Sequence, residues 1–369
     1  MAQAQNWNLN GANKEIQHTS YISEINIAKA IGIVLVILGH LETLSHPVWK
    51  QFAAMFHMPL FFFVYGIVGM PNESAMPSIS TFIKKKVMRI IIPYILWSLI
   101  YSYNEMSIKQ MACIAYGNNK VFAEAGLWFL PTIFVAECIS YVVAMLKRRY
   151  GHRVIYVCGC FCGVLGYLMT EIGRHTLLKK YGFPFSFDIA LTAVVFVLIG
   201  NMFKAFYLDK IVCLPRKNKG EIFIASLALY FMVFILSRFN SSFIVDDVYT
   251  RVVMARASYG LYPLFILSGV LGSIATLLLS AVVKPFWLLN YIGKNSLLYM
   301  CTNHICIATF MFLLEKAVLV DHLSTPARFA ICMIALCVVV AMCTVLSVGI
   351  NRWIPILNGK WGEKRNEKS

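Results

Sequence analysis

Long apolar segments recur along the whole chain and constrain its fold more than any other feature. About 20 residues of helix cross the hydrocarbon core of a bilayer, and ten segments are apolar over comparable lengths. The strands of a membrane barrel would alternate apolar and polar residues, whereas these segments do not. The sequence therefore predicts an all-α, polytopic integral membrane protein with about ten transmembrane helices. The predicted spans are 25–44, 52–70, 87–104, 127–146, 153–170, 188–207, 221–237, 261–283, 286–314 and 328–350.

The formal net charge of +16 is distributed in a way that favours a membrane surface over a nucleic-acid partner. Dense basic clusters at 84–86 and 147–149 fall in alternate loops between the predicted spans. The positive-inside rule places such clusters in the cytosol, where anionic lipid headgroups attract them. We therefore expect both termini to be cytosolic. We also expect the basic residues to interact with the lipid bilayer and not with nucleic acid.

The predicted spans form one unit, because no linker between them is long enough to separate a second domain. We expect a cytosolic N-terminal tail over 1–24, an integral membrane domain over 25–350 and a cytosolic basic C-terminal tail over 351–369. Residues 1–20 lack the basic start of a signal peptide, so the first span is expected to direct insertion. Most of the 11 cysteines fall inside spans, where apolar packing is their usual role, and no metal site is predicted.

Two histidines lie in the first two predicted spans, where an ionisable side chain is costly unless it is shielded, paired or functional. His40 lies near the end of one span and His57 near the start of the next, so an antiparallel hairpin would place them at similar depth. Lys29 precedes His40 by about three helical turns and shares its face. Because imidazole can accept and return a proton near neutral pH, the pattern predicts a reaction centre inside the membrane. The structural alternative is two imidazoles bonded to helix carbonyls or water.

Five short motifs occur in order along the predicted membrane domain. They are Lys29-x10-His40, His57-Met-Pro-Leu-Phe-Phe-Phe, Arg89-Ile-Ile-Ile-Pro-Tyr, Leu127-Trp-Phe-Leu-Pro and Ile292-Gly-Lys-Asn-Ser-Leu. Together they resemble the membrane-bound acyltransferase family 3, which includes O-acetyltransferases of bacterial polysaccharides and glycolipids. Many relatives carry arginine where this chain has Lys29, and often an acidic residue where it has Asn26. A subgroup of relatives that acts on surface sugars does carry lysine there. A planar guanidinium and a point charge are not interchangeable, so the resemblance does not fix the geometry of the donor site.

The resemblance implies a membrane O-acyltransferase of the bacterial plasma membrane. The donor substrate would be an acyl-CoA, in the first place acetyl-CoA, with no permanently bound cofactor. The acceptor would be a hydroxyl of a cell-surface polysaccharide or of a lipid-linked sugar. His40 and His57 would be catalytic, with His40 as general base, and Lys29 would bind the donor. The alternative is a non-enzymatic exporter or carrier of polysaccharide or lipid-linked sugar, for which a pair of matched bases has no use.

Four further residues are candidate substrate-binding positions, and each has a structural alternative. Trp128 could stack on a sugar or anchor the chain at the membrane interface. Asn295 and Ser296 could orient a substrate or cap the ninth helix. His304 falls where relatives often carry a late histidine, and packing is its alternative. Glu137, inside the fourth span, could form a buried hydrogen bond, form an ion pair or take part in catalysis.

The charge asymmetry generates a topology prediction. Reporter domains fused at positions 117, 180 and 245 should be active only outside the cytosol, and those fused at 78, 149 and 217 only inside it. Paired cytosolic and periplasmic reporters at each position would measure this directly. A reversed or mixed pattern would contradict both the span assignment and the cytosolic termini.

Overall fold

The fold is a set of long apolar helices, seen in a computed structural model of the chain. The structure describes residues 23–41, 44–71, 76–122, 126–206, 219–240, 244–245, 248–249, 252–317 and 324–360. Within these ranges, nine helical segments are long and apolar enough to cross a membrane. The prediction of an all-α, polytopic membrane protein is confirmed. The predicted tails lie partly outside the described residues, which begin at Ser23 and end at Lys360.

The α-helices are α1 (Ser23–His40), α2 (Pro47–Ala54), α3 (His57–Val68), α4 (Ile79–Lys86), α5 (Ile92–Tyr101), α6 (Ile108–Tyr116), α7 (Phe129–Tyr150), α8 (Arg153–Arg174), α9 (Leu178–Tyr181), α10 (Phe187–Phe206), α11 (Lys219–Phe239), α12 (Tyr262–Val282), α13 (Trp287–Lys294), α14 (Ser296–Ala317) and α15 (Thr325–Trp353). Two-residue strands, β1 (Ile244–Val245) and β2 (Val248–Tyr249), pair antiparallel. Short 3₁₀ turns are Tyr103–Glu105, Pro184–Ser186, Met254–Arg256 and Pro355–Asn358.

The third predicted span, 87–104, is part of a helical run that is not among the nine. A π-helix, Val87–Ile91, joins α4 to α5 without a break. Pro93 follows the π-helix, and a proline disrupts regular helix one turn before it because it lacks an N–H and its ring crowds the earlier carbonyl. The π-turn relieves that conflict and leaves the Arg89 carbonyl facing another segment. The other nine predicted spans each correspond to one of the nine apolar segments.

Two of the predicted spans, the second and the ninth, consist of two helices each. Met55 and Phe56 separate α2 from α3, and Asn295 separates α13 from α14. The first break has a cause in the sequence, because Pro59 is the third residue of α3. Proline needs no hydrogen-bond partner in the first turn of a helix but breaks the turn that precedes it. His57 is therefore the first residue of a helix.

The core centres on α3, which is buried from Met58 to Ile67 and packs closely against α10. A Cβ at Gly66 would overlap the carbonyl oxygen of Val197, and a Cβ at Gly200 would overlap that of Phe63. Small residues at such contacts let two helix backbones meet, which is how helices associate where no water drives them together. This contact fixes α3, and with it His57, in the middle of the bundle.

A loop segment covers the end of the bundle at which His40 lies. The backbone N–H of Val252 donates to Gln51 Oε1 at 3.1 Å. Further along, the Asn240 side chain donates to the Tyr259 carbonyl at 2.9 Å and accepts from the Leu261 N–H at 2.6 Å. These bonds hold both ends of 252–261, one against α2 and the other against Asn240, the residue that follows α11, so the segment has a defined position over the underlying helices.

The opposite end holds the start of α1, the basic run and the C-terminal segment. Ser23 Oγ donates to Asn290 Oδ1 at 3.0 Å, which places α13 beside the start of α1. The C-terminal segment packs there too, because Trp97 Nε1 donates to the Leu357 carbonyl at 3.1 Å and Gly359 lies against the Arg89 carbonyl. The basic residues of α4 and of the π-helix are thus at the end of the bundle remote from His40.

The α3–α10 contact predicts a stability change. Gly66→Ala should lower the free energy of unfolding by about 1–3 kcal/mol, because the added methyl group overlaps a backbone carbonyl that cannot move alone. Gly220→Ala on α11 is the control, since open space surrounds its Cβ position. Thermal unfolding in mild detergent measures both, and equal midpoints would contradict the close approach.

Candidate active site

A cavity lies at the end of α1 where His40 is the last helical residue. It contains about 680 Å³ of empty space, its open mouth included. His40 and His57 both line it. The structure therefore brings together the two residues that the sequence predicts to be catalytic. We call this space, which Lys50, Trp128 and Met300 also line, the histidine cavity.

The break between α2 and α3 determines the position of His57. Its Nδ1 lies 2.7 Å from the carbonyl oxygen of Ala53. A carbonyl can only accept, so Nδ1 carries the hydrogen and Nε2 of a neutral ring does not. In an unbroken helix the Ala53 carbonyl would accept from the backbone N–H of His57. Here the imidazole of the same residue donates to it, and the bond fixes the ring at the cavity wall.

His40 is held by two consecutive residues of α14. Its Nδ1 lies 2.9 Å from Oδ1 of Asn303. The ring of His304 lies against the His40 ring, with 4.3 Å between centroids and 56° between planes. The late histidine, a candidate substrate-binding residue, is thus placed beside the first histidine although 264 positions separate the two in sequence.

Asn303 is a residue of this site that the sequence analysis missed, as is Lys50 of the cavity lining. Asn303 is 1 % exposed and lies between Thr302, also 1 % exposed, and His304. Three consecutive polar side chains in an apolar helix are unusual, because each needs a partner inside the protein. That run was the available signal, but it does not reveal which helix supplies the partner.

Trp128 lies in the turn before α7 and lines the histidine cavity. It is 6 % exposed, and its ring meets that of Phe129 edge to face with centroids 6.2 Å apart. A buried indole in a cavity wall can stack on a sugar ring or a pantetheine arm, since its face is apolar and polarisable. The structure places this candidate residue with both histidines.

A second cavity, the middle chamber, lies between α3, the π-helix, α7 and α14. Phe61, Arg89, Glu137, Ser296 and Met300 are among its lining residues. Met300 lines both the middle chamber and the histidine cavity, so its flexible side chain lies between the two spaces. Thioether side chains adapt readily to changes in neighbouring volume.

A third cavity, the basic pocket, lies at the opposite end of the bundle from the histidine cavity. Its lining includes Lys84, Lys85, Arg89 and Gly359. Arg89 also lines the middle chamber. The basic pocket, the middle chamber and the histidine cavity thus form a row of three spaces, each sharing a lining residue with the next.

Glu137 forms an ion pair beside the middle chamber. Its Oε2 lies 2.8 Å from Nζ of Lys86, and both side chains are largely buried. The ammonium group also lies 5.2 Å from the centre of the Tyr65 ring. A carboxylate is costly in a membrane interior unless it is paired, and Lys86 supplies the pair. Of the alternatives for Glu137, the structure has the ion pair.

Lys29, Asn295 and Ser296 lie away from the histidine cavity. Lys29 is half-buried on α1, on the face that continues through Gly32, which packs against Phe61 of the middle chamber. Ser296 lines that same chamber.

Asn295 joins the α13–α14 break to the C-terminal part of the chain. Its Oδ1 accepts from Asn351 Nδ2 at 2.9 Å, Asn358 Nδ2 at 3.0 Å and Lys360 Nζ at 3.3 Å. Its Nδ2 donates to the Tyr291 carbonyl at 2.9 Å. The side chain is therefore part of a buried polar network that connects two parts of the fold.

The histidine cavity has the groups that proton transfer requires. Among the described residues that line it, the titratable side chains are those of His40, Lys50 and His57. Both imidazoles present Nδ1 to an oxygen atom, so Nε2 is the nitrogen that can exchange a proton in each neutral ring. The largely apolar wall limits water, which would otherwise compete for a reactive acyl group.

Sequence comparison identifies the family of the chain. A family model described as an acyltransferase domain matches residues 22–352, nearly the whole chain. Comparison with curated proteins and with solved structures finds no match. The matched region contains α1 to α14 and nearly all of α15, and it includes every residue of the histidine cavity and the middle chamber. The chain belongs to acyltransferase family 3 and is a membrane-embedded acyltransferase.

Proposed function

We propose that this acyltransferase transfers an acetyl group from acetyl-CoA to a hydroxyl of a cell-surface polysaccharide or lipid-linked sugar, in the bacterial plasma membrane. The observation that carries the proposal is the shared cavity of His40 and His57, which is one end of a row of spaces leading from a basic surface. Two bases matched in one cavity favour acyl transfer over simple carriage of a sugar, as does membership of an acyltransferase family.

His40 is the general base in this mechanism. Its Nε2 takes the proton of the acceptor hydroxyl as the oxygen attacks the thioester carbonyl. The tetrahedral intermediate then collapses, the C–S bond breaks, and the proton passes from Nε2 to the departing sulfur of CoA. The products are the acetyl ester and CoA with a free thiol, and His40 returns to its neutral state. The acyl group thus moves from sulfur to oxygen and the proton from oxygen to sulfur, so the reaction balances without another reactant.

His57 and Trp128 act on either side of that step. His57 orients the acceptor or, in the state in which its ring carries hydrogen on both nitrogens, donates from Nε2 to the oxygen of the tetrahedral intermediate and stabilises its negative charge. Trp128 packs against the sugar or the pantetheine arm at the cavity wall. Both contacts exploit groups already fixed by the fold, so little is reorganised when the substrates arrive.

The donor enters from the basic pocket. Lys84, Lys85 and Arg89 line it, and cationic groups of this kind bind phosphate through charge-assisted hydrogen bonds. The pantetheine arm extends through the middle chamber and past Met300 towards His40, while Lys29 contributes charge from the adjacent face of α1. The whole route runs the length of α1, about 27 Å for its 18 residues at 1.5 Å per residue.

This route assigns the two ends of the bundle to two compartments. The basic end faces the cytosol, where acetyl-CoA is made and where basic loops accumulate. The histidine cavity then opens towards the outer face, where surface glycans and the sugars of lipid-linked precursors are found. Acetylation occurs near that face, and CoA itself does not cross the membrane.

Loss of either histidine should nearly abolish acetylation. His40→Ala and His57→Ala are each expected to lower turnover by about 10²- to 10⁴-fold, the usual effect of removing a general base. Transfer of label from acetyl-CoA into the glycan fraction of membranes measures this. The double variant should be scarcely worse than the worse single variant, because residues acting as a unit are not additive.

His152→Ala is the matched control for the histidine variants, since His152 is exposed before α8. It should retain parental turnover. Parental turnover in correctly inserted His40→Ala protein would refute the proposed mechanism and favour the carrier alternative.

Loss of Lys29 should weaken use of the donor. Lys29→Ala is expected to raise the KM for acetyl-CoA by roughly 10-fold or more, since a charge-assisted hydrogen bond contributes about 1.5–3 kcal/mol. Lys29→Arg should retain part of the activity because it keeps the charge. Lys109→Ala on exposed α6 is the control, and an unchanged KM in Lys29→Ala would exclude the contact.

A further inference from the structure

The orientation of one buried amide determines the state of the proposed base. Asn303 Nδ2 donates to the carbonyl oxygens of Tyr299 at 3.0 Å and Met300 at 2.5 Å, both on its own helix. Carbonyl oxygens only accept, so the amide nitrogen has to face them. A flipped amide would set its oxygen against two other oxygens in a site that is 1 % exposed. Oδ1 is therefore the atom that faces α1.

That oxygen faces the ring of His40. Oδ1 lies 2.9 Å from His40 Nδ1, and because an amide oxygen has no hydrogen to donate, Nδ1 carries it. A neutral imidazole has one N–H, so a hydrogen on Nδ1 leaves the lone pair on Nε2. The alternative tautomer would place two lone pairs face to face in a buried site.

We propose that Asn303 is a positioning residue that holds His40 in the Nδ1–H tautomer, so that Nε2 is the nitrogen that takes the acceptor proton. The inference rests on the proposed function of His40 as general base. It deepens that function, because it says which ring nitrogen reacts and what fixes it. Helix α14 contributes the amide and, one residue later, the ring that packs on His40.

The chemical consequence concerns both halves of the transfer. In the first half, Nε2 accepts the proton from the hydroxyl oxygen, which bonds to the thioester carbonyl carbon. The ring then carries hydrogen on both nitrogens, and its Nδ1–H remains bonded to Asn303. In the second half Nε2 returns the proton to the leaving sulfur. Asn303 supports both states, since its oxygen accepts from Nδ1 in each.

Other titratable groups surround His40, and they affect how its proton uptake is measured. His304 lies against its ring from α14. Across the histidine cavity are His57 at the start of α3 and Lys50 on α2. A test by pH dependence alone would mix these groups, so a direct observation of the ring nitrogens is needed.

The experiment compares Asn303→Leu, which removes the acceptor, with Asn303→Asp, which retains it. Thr302→Val is the control, because the Thr302 hydroxyl is equally buried and bonds to its own helix at Leu298. Each protein is reconstituted in nanodiscs with ¹⁵N-labelled histidine. The nitrogen chemical shifts distinguish protonated from unprotonated ring nitrogens, and the His40→Gln variant assigns the His40 signals.

The expected result is a neutral His40 protonated at Nδ1 in the parent, in Thr302→Val and in Asn303→Asp. In Asn303→Leu that signal should be lost, with turnover lowered by at least about 10-fold and at most about 10⁴-fold, the effect of losing the residue that orients a catalytic histidine. In Asn303→Asp the oxygen that replaces Nδ2 faces the carbonyls of Tyr299 and Met300, so it has to carry a hydrogen and donate to them. The other oxygen of this neutral side chain still accepts from His40 Nδ1, and turnover should be retained.

Two results would overturn the inference. One is the observation that the neutral His40 of the parent protein is protonated at Nε2. This measurement does not depend on the folding of any variant. The other is Asn303→Leu protein with the parental His40 signal and parental turnover. Failure of the proposed function is distinguishable, because it appears as parental turnover in His40→Ala whatever the state of Asn303.

Discussion

The interior of a bilayer offers no hydrogen-bond partner, so polar groups at membrane depth have to be satisfied by the protein itself. The fold meets this constraint with side chains placed at interruptions and helix ends. The Ala53 carbonyl at the α2–α3 break is bonded to the imidazole of His57, and His40 at the end of α1 is bonded to Asn303. The bonds that make these polar groups tolerable in the membrane therefore also build the site.

The basic pocket and the two imidazoles lie at opposite ends of α1. The basic pocket lies at the end at which α1 begins, and the imidazoles lie at the end at which it stops. The Lys86–Glu137 ion pair lies between them, beside the middle chamber. Apolar walls and Met300 also lie between the two ends. In the proposed reaction only the uncharged arm of the donor has to reach the apolar interior, so the phosphates keep their hydration and their counter-charges. The thioester meanwhile is shielded from bulk water.

Sequence reasoning located the spans and the two histidines because both depend on local properties, hydropathy and the cost of a polar group in hydrocarbon. It missed Asn303 because the bond to His40 joins residues 263 positions apart and depends on the register of α14 against α1. Nothing in the sequence indicated that Met300 lies beside two cavities, since an apolar residue in a cavity wall and one in the core look alike in sequence. Pro59 did indicate the α2–α3 break, because a proline disrupts the helical turn that precedes it.

The α2–α3 break has a consequence for how this site can change in evolution. His57 is bonded to a carbonyl four residues earlier, in a turn whose shape depends on Pro59. One residue inserted or deleted between Ala53 and His57 would change the spacing that this hydrogen bond needs and separate the imidazole from that carbonyl. Length is thus fixed from Ala53 to Pro59. Adaptation to new acceptors has to come from substitutions around the cavity and from length changes in the surface loops.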